Sequence, residues 1–488
     1  MTDRIVYVTH QLRNNRWLYG VLGLLLPLIA GWMIGTWGTI SGLLIVGVPI
    51  LLLVLVSILV EPKWGLLIYV NLGFLLGFTR FINVELPLGL ALDGVIMLTL
   101  MGVILNSKRM NWQRLHHPVF YMLTVWLFYT ILEFFNPEAP YPLAWFFHAR
   151  FFSLNWFYVA IVILVMPITR ADIRLYVKIW LGWSLFACFW AFKQQYIGVA
   201  EAEAIWLAQG AAKTHVLWGQ LRSFSFYSDA SQFGAEMAGV TLVCLIVLIE
   251  EKNLLRKVCF IILALLFFWG FAVSGTRSAL FVLLGGYPAY LVLRRNIRLL
   301  LGGVAAAIPI MAILLFTSIG DSNYQIFRIR SALHPSQDAS FLVRLENQTK
   351  LKAYLKDLPF GAGIGTSGDM GARFSPEHPA SIIPPDSWYV EIWIETGVVG
   401  LTLYLLMLVG IITVGSYNVW HINDPWLSKI MIALLAEFIG IIVMSYSNPT
   451  LGQIPTSTIL FINSILFTSC KRWDTVKASL PKSFNVTA

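Results

Sequence analysis

Three arginines stand apart from the other charges of this chain, each set among aromatic or small residues. They are Arg150 in WFFHARFFSLNW, Arg222 in GQLRSFSFYSDASQFG and Arg277 in FAVSGTRSALFVLLGG. A guanidinium carries its N–H donors in a planar fork that pairs two phosphate oxygens at once, so a convergent set of three suits a diphosphate. Taken singly, each could equally snorkel to lipid phosphates. A second group lies in SPEHPASIIPPDSWYVEIW. Asp386 follows Pro384 and Pro385 and directly precedes an apolar run. There a carboxylate either caps the helix or takes a proton from a hydroxyl. His378 lies close to it in sequence and is a candidate acid or base, or else an exposed loop histidine.

What must position these residues is a membrane. Of 488 residues, 58% are hydrophobic and only 12% charged, and the mean hydropathy is +0.74. Soluble domains carry about 25% charged residues, so the bilayer has to be the solvent for most of this surface. Candidate spans fall at roughly 17–34, 38–60, 64–79, 87–105, 118–132, 152–168, 175–192, 231–249, 257–273, 277–293, 299–317, 389–413, 428–447 and 455–470. The expected fold is therefore all-α and polytopic, with about 12–14 transmembrane helices, because lipid demands internally satisfied backbones. Most of the 34 Lys and Arg gather in the short loops of one face and at both ends of the chain. That face is expected to be cytoplasmic, with the polar segments 193–230 and 318–388 on the opposite side. The chain then divides into a helical region 1–317, a large outer loop 318–388, C-terminal spans 389–470 and a cytoplasmic tail 471–488. The N-terminus lacks a cleavable-signal pattern, so the first span is expected to stay.

Within the long loop, DASFLVRLENQTKLKAYLKDLP reads as an amphipathic helix capped by Asp338 or Ser340 and ended by Pro359. Its inward face would be Phe341, Leu345, Leu351 and Leu355. The following GAGIGTSGDMG is a glycine-rich turn whose free amides could hold an anion, or could simply be flexible. Asp93, Glu236 and Glu437 fall inside spans. Inter-helix hydrogen bonding is expected for Asp93 and Glu437, and Glu236 is placed to orient Arg222. The outward histidines, His148, His215, His334 and His378, have no partner at metal-ligand spacing, so no metal is expected. The four cysteines read as small core residues. Nucleotide-binding, dinucleotide and zinc signatures are absent from the sequence, which gives no reason to expect a cofactor or a nucleic-acid partner.

Four stretches occur in a fixed order: RSFSFYSDASQFGAEMAG, SGTRSALF, VRLENQTKLKAYLKDLPFGAGIG and DSWYVEIWIETGVVGLTLYLL. In that order the chain resembles the bacterial O-antigen ligase and polymerase superfamily, best over residues 220–415. The resemblance implies that Arg222, Arg277 and Arg344 are the donor-binding arginines, with Arg150 a weaker fourth. Asp386 and Ser387 fall where ligases carry His-Asn, which leaves polymerase or another glycan transfer open beside ligation. It further implies an undecaprenyl-diphosphate-linked glycan as donor and a glycan or lipid-linked acceptor. The site would face the periplasm from the bacterial inner membrane, surrounded by membrane lipids, with no nucleotide sugar and no obligatory metal. A polysaccharide or lipid transporter is the competing reading, although transporters place charges at the membrane midplane and here most charges lie in loops.

Overall fold

A computed structural model of the chain describes residues 38–81, 89–295 and 339–474, with isolated positions between 31 and 36 and between 298 and 330. Most of the candidate spans 17–34 and 299–317, most of the tail, His334 and the proposed cap Asp338 lie outside the described residues. Among those described, the chain is helical almost throughout, and eight helices are long and apolar enough to cross a membrane. In chain order the main helices are α1 Thr39–Val60, α2 Lys63–Phe81, α3 Gly89–Leu105, α4 Pro118–Phe135, α5 Pro142–Val165, α6 Arg170–Ile197 and α7 Ala230–Glu250. They continue with α8 Leu254–Val273, α9 Arg277–Leu293, α10 Ala339–Tyr354, α11 Trp388–Trp420, α12 Pro425–Met444 and α13 Thr456–Thr468. This is the polytopic all-α architecture that the hydropathy pattern predicts.

Local signals set the helix starts. Thr169 and Asp172 form a reciprocal capping box on α6. Asp229, Asn253 and Asp424 accept backbone N–H groups at the starts of α7, α8 and α12. Helices apolar on all sides belong in the centre. The apolar windows of α7 and α12 are 83% and 78% buried against 22% for α8, and α13 is buried along its whole length. Glycines let α7, α9 and α12 close on one another. A Cβ on Gly286 would meet Leu242 at 2.2 Å and the Ala436 carbonyl at 2.7 Å, and one on Gly440 would meet the Val282 carbonyl at 2.4 Å.

The buried polar side chains in this core bond from helix to helix. Glu437 accepts from Asn463 Nδ2 at 3.1 Å, and Asn463 Oδ1 accepts from the Tyr176 hydroxyl at 2.8 Å. Asp93 accepts from Arg150 and, at 3.0 Å, from Asn155 Nδ2. Glu236 does not reach Arg222. It accepts instead from the Trp180 indole and from Thr456, joining α7 to α6 and α13.

The two ends of the bundle differ in how their charges are treated. At one end ion pairs lock helix termini together: Lys63–Asp172 at 3.0 Å, Arg170–Asp424 at 2.8 Å, Arg294–Glu250 at 2.8 Å and Lys429–Glu251 at 3.1 Å. At the other lie the 198–229 segment, α10 and the loop to α11. α10 buries Leu351, and Leu355 is buried just beyond it. Leu345, expected inward, is exposed instead.

The glycine-rich turn has a structural partner. α11 breaks at Gly397, where φ is 66° and ψ −171°, a conformation open only to glycine. The break frees carbonyls that need donors. Ala362 N donates to Ile394 O at 2.8 Å, Gly363 N to Glu395 O at 3.0 Å, and the Tyr129 hydroxyl to Thr396 O at 2.7 Å. Val399 N in turn donates to Pro359 O at 3.2 Å. Residues 359–363 therefore dock on the broken helix through their main chain.

Candidate functional site

Between the ends of α7, α9 and α12, beneath α10, lies a cavity of about 860 Å³ lined by Arg222, Arg277 and Arg344. Among the described residues of the lining, Lys213 is a further cation and Asp229 the one carboxylate. Thr214, Ser231, Thr276, Ser278 and Asn448 supply neutral hydrogen-bonding groups, while Phe281, Phe341, Val443 and Tyr446 form an apolar wall. A wall of this kind beside an excess of guanidinium groups suits an anionic head joined to an apolar tail.

Each arginine is placed by a different device. Arg222 follows a two-residue hairpin in which Val216–Leu217 pairs antiparallel with Gln220–Leu221. Trp218 (φ 49°) and Gly219 (φ 75°) make its turn. The Arg222 side chain is braced by Nε to Ser274 O at 3.1 Å, Nη1 to Thr214 O at 2.8 Å and Nη2 to Thr276 Oγ1 at 2.9 Å. Arg277 opens α9 directly after a turn whose Gly275 has φ 57°. Arg344 is carried by the first half of α10, half-buried. Behind Arg222, Arg80 lies over the rings of Trp206 and Phe224, 4.1 Å and 4.9 Å from their centroids, and donates to the carbonyls of Tyr227 and Ser228. It stiffens the segment that leads into α7.

Arg150 is not in the cavity lining. It is buried in a π-helical turn of α5, paired with Asp93 and flanked by the rings of Phe147 and Phe151. Burial of an isolated arginine in a membrane bundle is costly, and the Asp93 carboxylate offsets it. Asp386 is not the helix cap. Ser387 holds that position, and Asp386 has φ 52°, a left-handed conformation that costs energy in a residue other than glycine. Its carboxylate accepts from Asn347 Nδ2 at 3.4 Å. Ser387 Oγ and Trp388 N both donate to Ser445 O. Asp386 is thus tethered to α10 one turn past Arg344 and to the chain just ahead of Tyr446, two parts of the cavity wall. The Trp388 indole donates to the Tyr404 hydroxyl and the Tyr389 hydroxyl to Ile442 O, so both brace the start of α11. His378 caps the short helix Pro379–Ile382 by accepting from Ala380 N at 3.2 Å. Burial lowers its pKa, opposed by Glu138, and no contact among the described residues joins it to Asp386.

His215 lines the cavity as a neutral ring. Its Nε2 accepts from Ala230 N at 3.2 Å and its Nδ1 lies 3.0 Å from Ala211 O, which fixes the tautomer with the proton on Nδ1. Burial lowers its pKa below the ordinary 6.5; the Ala211 carbonyl opposes this and Arg222 reinforces it. The folded state then binds fewer protons than the unfolded state between its lowered pKa and 6.5. The stability conferred by the neutral ring is complete above that window and is lost as pH falls through it. We expect the melting temperature of the wild type to drop as pH falls below 6.5. A His215→Gln variant, with no proton to gain, should lack that component in a pH series of thermal melts.

Sequence reasoning missed a third group, His148 with Glu391 and Glu395. His148 Nε2 lies 3.3 Å from Glu391 Oε1 and 3.4 Å from Glu395 Oε2. All three residues are buried. Gly365 N at 3.0 Å, Ser367 N at 3.1 Å and Ser367 Oγ at 2.8 Å donate to Glu395. The glycine-rich amides do hold an anion, and it is the chain's own carboxylate. One signal was available: Glu391 and Glu395 are an i,i+4 like-charge pair in an apolar run, an arrangement that needs a counter-charge.

Residues 262–405 match the model of a protein family described as O-antigen ligase. The matched segment contains Arg277, Arg344, the docked glycine loop, Glu391 and Glu395, and leaves out Arg222 and His148. No match to a curated protein was found.

Proposed function

We propose, for a chain that carries an O-antigen ligase domain and with it a role in glycan transfer during polysaccharide assembly, that the arginine-lined cavity binds the diphosphate of a polyprenyl-linked glycan. The observation that carries this reading is the convergence of Arg222, Arg277 and Arg344 with Lys213 against an apolar wall. By the charge asymmetry of the loops, the cavity faces the periplasmic side of the inner membrane, where an undecaprenyl-diphosphate donor would present its sugar.

In the reaction, the bond between the anomeric carbon and the diphosphate oxygen breaks, and the acceptor hydroxyl oxygen forms the new bond to that carbon. Negative charge builds on the departing diphosphate, where preorganised guanidinium groups stabilise it most. The arginines here perform the charge neutralisation that other enzymes assign to a metal ion, and diphosphate is a good leaving group without a protonating acid. The acceptor's proton goes to a carboxylate, a role we assign to Asp386 on its tethering beside the cavity wall and its strained backbone. Asp386→Asn preserves shape and tolerates the left-handed backbone better than most residues. It removes basicity alone, and we expect it to lower kcat at least about tenfold with little change in KM. Unchanged kcat would move the base elsewhere.

The function is tested by incubating purified protein with a synthetic polyprenyl-diphosphate glycan and candidate acceptors. A lengthened lipid-linked chain identifies a polymerase, and glycan moved to a different lipid or to protein identifies a ligase. Flux of the lipid across proteoliposomes without any covalent product would instead identify a transporter.

A further inference from the structure

We propose that His148, Glu391 and Glu395 bind one divalent transition-metal ion, with zinc the best fit, which ties α5 to the start of α11. The two His148 contacts, 3.3 Å and 3.4 Å long, make no hydrogen bond. Both ring nitrogens are buried without a hydrogen-bond partner, in a residue 8% exposed. Zinc holds nitrogen and oxygen ligands at about 2.0–2.2 Å, which puts donor atoms at tetrahedral angles about 3.4 Å apart. The observed separations match such an edge. One donor atom from each residue lies within 4.8 Å of the others, so the three surround one point on which the carboxylates would draw together around a cation.

Charge balance favours the same answer. Among the described residues no lysine or arginine pairs with Glu391 or Glu395. A divalent ion held by two carboxylates and a neutral imidazole forms an electrically neutral unit, which limits the cost of burying it. The amides of Gly365 and Ser367 and the Ser367 hydroxyl already orient the Glu395 carboxylate, as outer-shell donors do for ligating carboxylates. Imidazole with carboxylates is a ligand set that zinc accepts, and three protein ligands leave a fourth position for water. None of the three residues lines the arginine cavity. The ion's role is to fix α5 against the segment that carries the glycine loop, and the transfer step does not run through it.

The test is metal content and metal-dependent stability of the full-length purified protein, readouts that do not depend on glycan transfer. After loading with zinc and dialysis, the wild type should retain about one ion per chain and melt at a higher temperature than the chelator-treated protein. Glu391→Gln keeps the side chain's size and loses its charge, and should bind at least about tenfold more weakly with no zinc-dependent rise in melting temperature. His148→Gln serves as a second variant should the first not accumulate. Wild type that retains no zinc after loading overturns the proposal. So does zinc retained equally by wild type and both variants, which would be surface binding. A folded protein without metal would leave the donor-site reading untouched, and a metal-binding protein without transferase activity would leave this one standing.

Discussion

Arg277→Lys is expected to lower kcat/KM for a polyprenyl-diphosphate glycan by about 100-fold or more, the range seen when one preorganised charge-stabilising donor is lost. Arg277 opens α9 behind the Gly275 turn and lines the cavity beside Ser278 and Phe281. Lysine there keeps the positive charge but presents a point where arginine presents a fork, so it cannot span two phosphate oxygens. If the fork acts mainly on the departing diphosphate, the loss appears in kcat more than in KM. In Arg222→Lys a structural loss is expected as well, because Nε and both terminal nitrogens of Arg222 brace Ser274, Thr214 and Thr276. That variant should lose both activity and melting temperature. Full transfer by Arg277→Lys at normal expression would reduce this arginine to a lipid anchor.

Gly397→Ala is expected to cost about 4 kcal/mol or more and to prevent accumulation of folded protein, since it combines a forbidden backbone with a direct clash. A Cβ at this position would sit 2.0 Å from the Pro359 carbonyl oxygen and 2.5 Å from Gly361 N. Neither atom can move without breaking the bonds by which the loop satisfies the carbonyls of Ile394 and Glu395. Gly94→Ala is the matched control. Nothing lies within 4 Å of its added Cβ, and alanine is the better helix former by about 1 kcal/mol. Membrane levels, thermal melts and protease sensitivity of the 359–385 segment should separate the two variants, and a wild-type profile for Gly397→Ala would refute the docking argument.

The helices were legible in the sequence because lipid leaves so few solutions: long apolar runs become helices, and the charged loops fall at their ends. The arginines of the cavity could be read for a related reason, since Arg222 and Arg277 are conspicuous where almost nothing else is charged. Partnering was harder to foresee. Arg150 looked like its two neighbours, but Asp93, 57 positions earlier, claims it. Glu236 looked poised for Arg222, yet its helical phase turns it toward Trp180 and Thr456. His148 stands more than 240 positions before Glu391 and Glu395, so neither spacing nor composition could join them. Leu345 failed for an ordinary reason. A stripe of leucines marks one face of α10 but does not say how much of that face the rest of the molecule covers.

The seam between residues 359–367 and the broken helix has a bearing on which positions along this loop can vary. The N–H groups of Ala362, Gly363 and Val399 bond main-chain carbonyls across it, while Gly365 N, Ser367 N and Ser367 Oγ donate to the Glu395 carboxylate. Such a fastening is selective: a Cβ at Gly361 would meet Gly397 N at 2.4 Å and one at Gly365 the Ala144 carbonyl at 2.7 Å, and three of the bonds need the Glu395 carboxylate. Beyond the seam, exposed positions such as Ala372, Glu377 and Ile382 can vary while the anchored turn stays in register, whereas Gly371 and the buried Ala380 cannot. Anchoring and tolerance to substitution are thus separated within one loop, position by position.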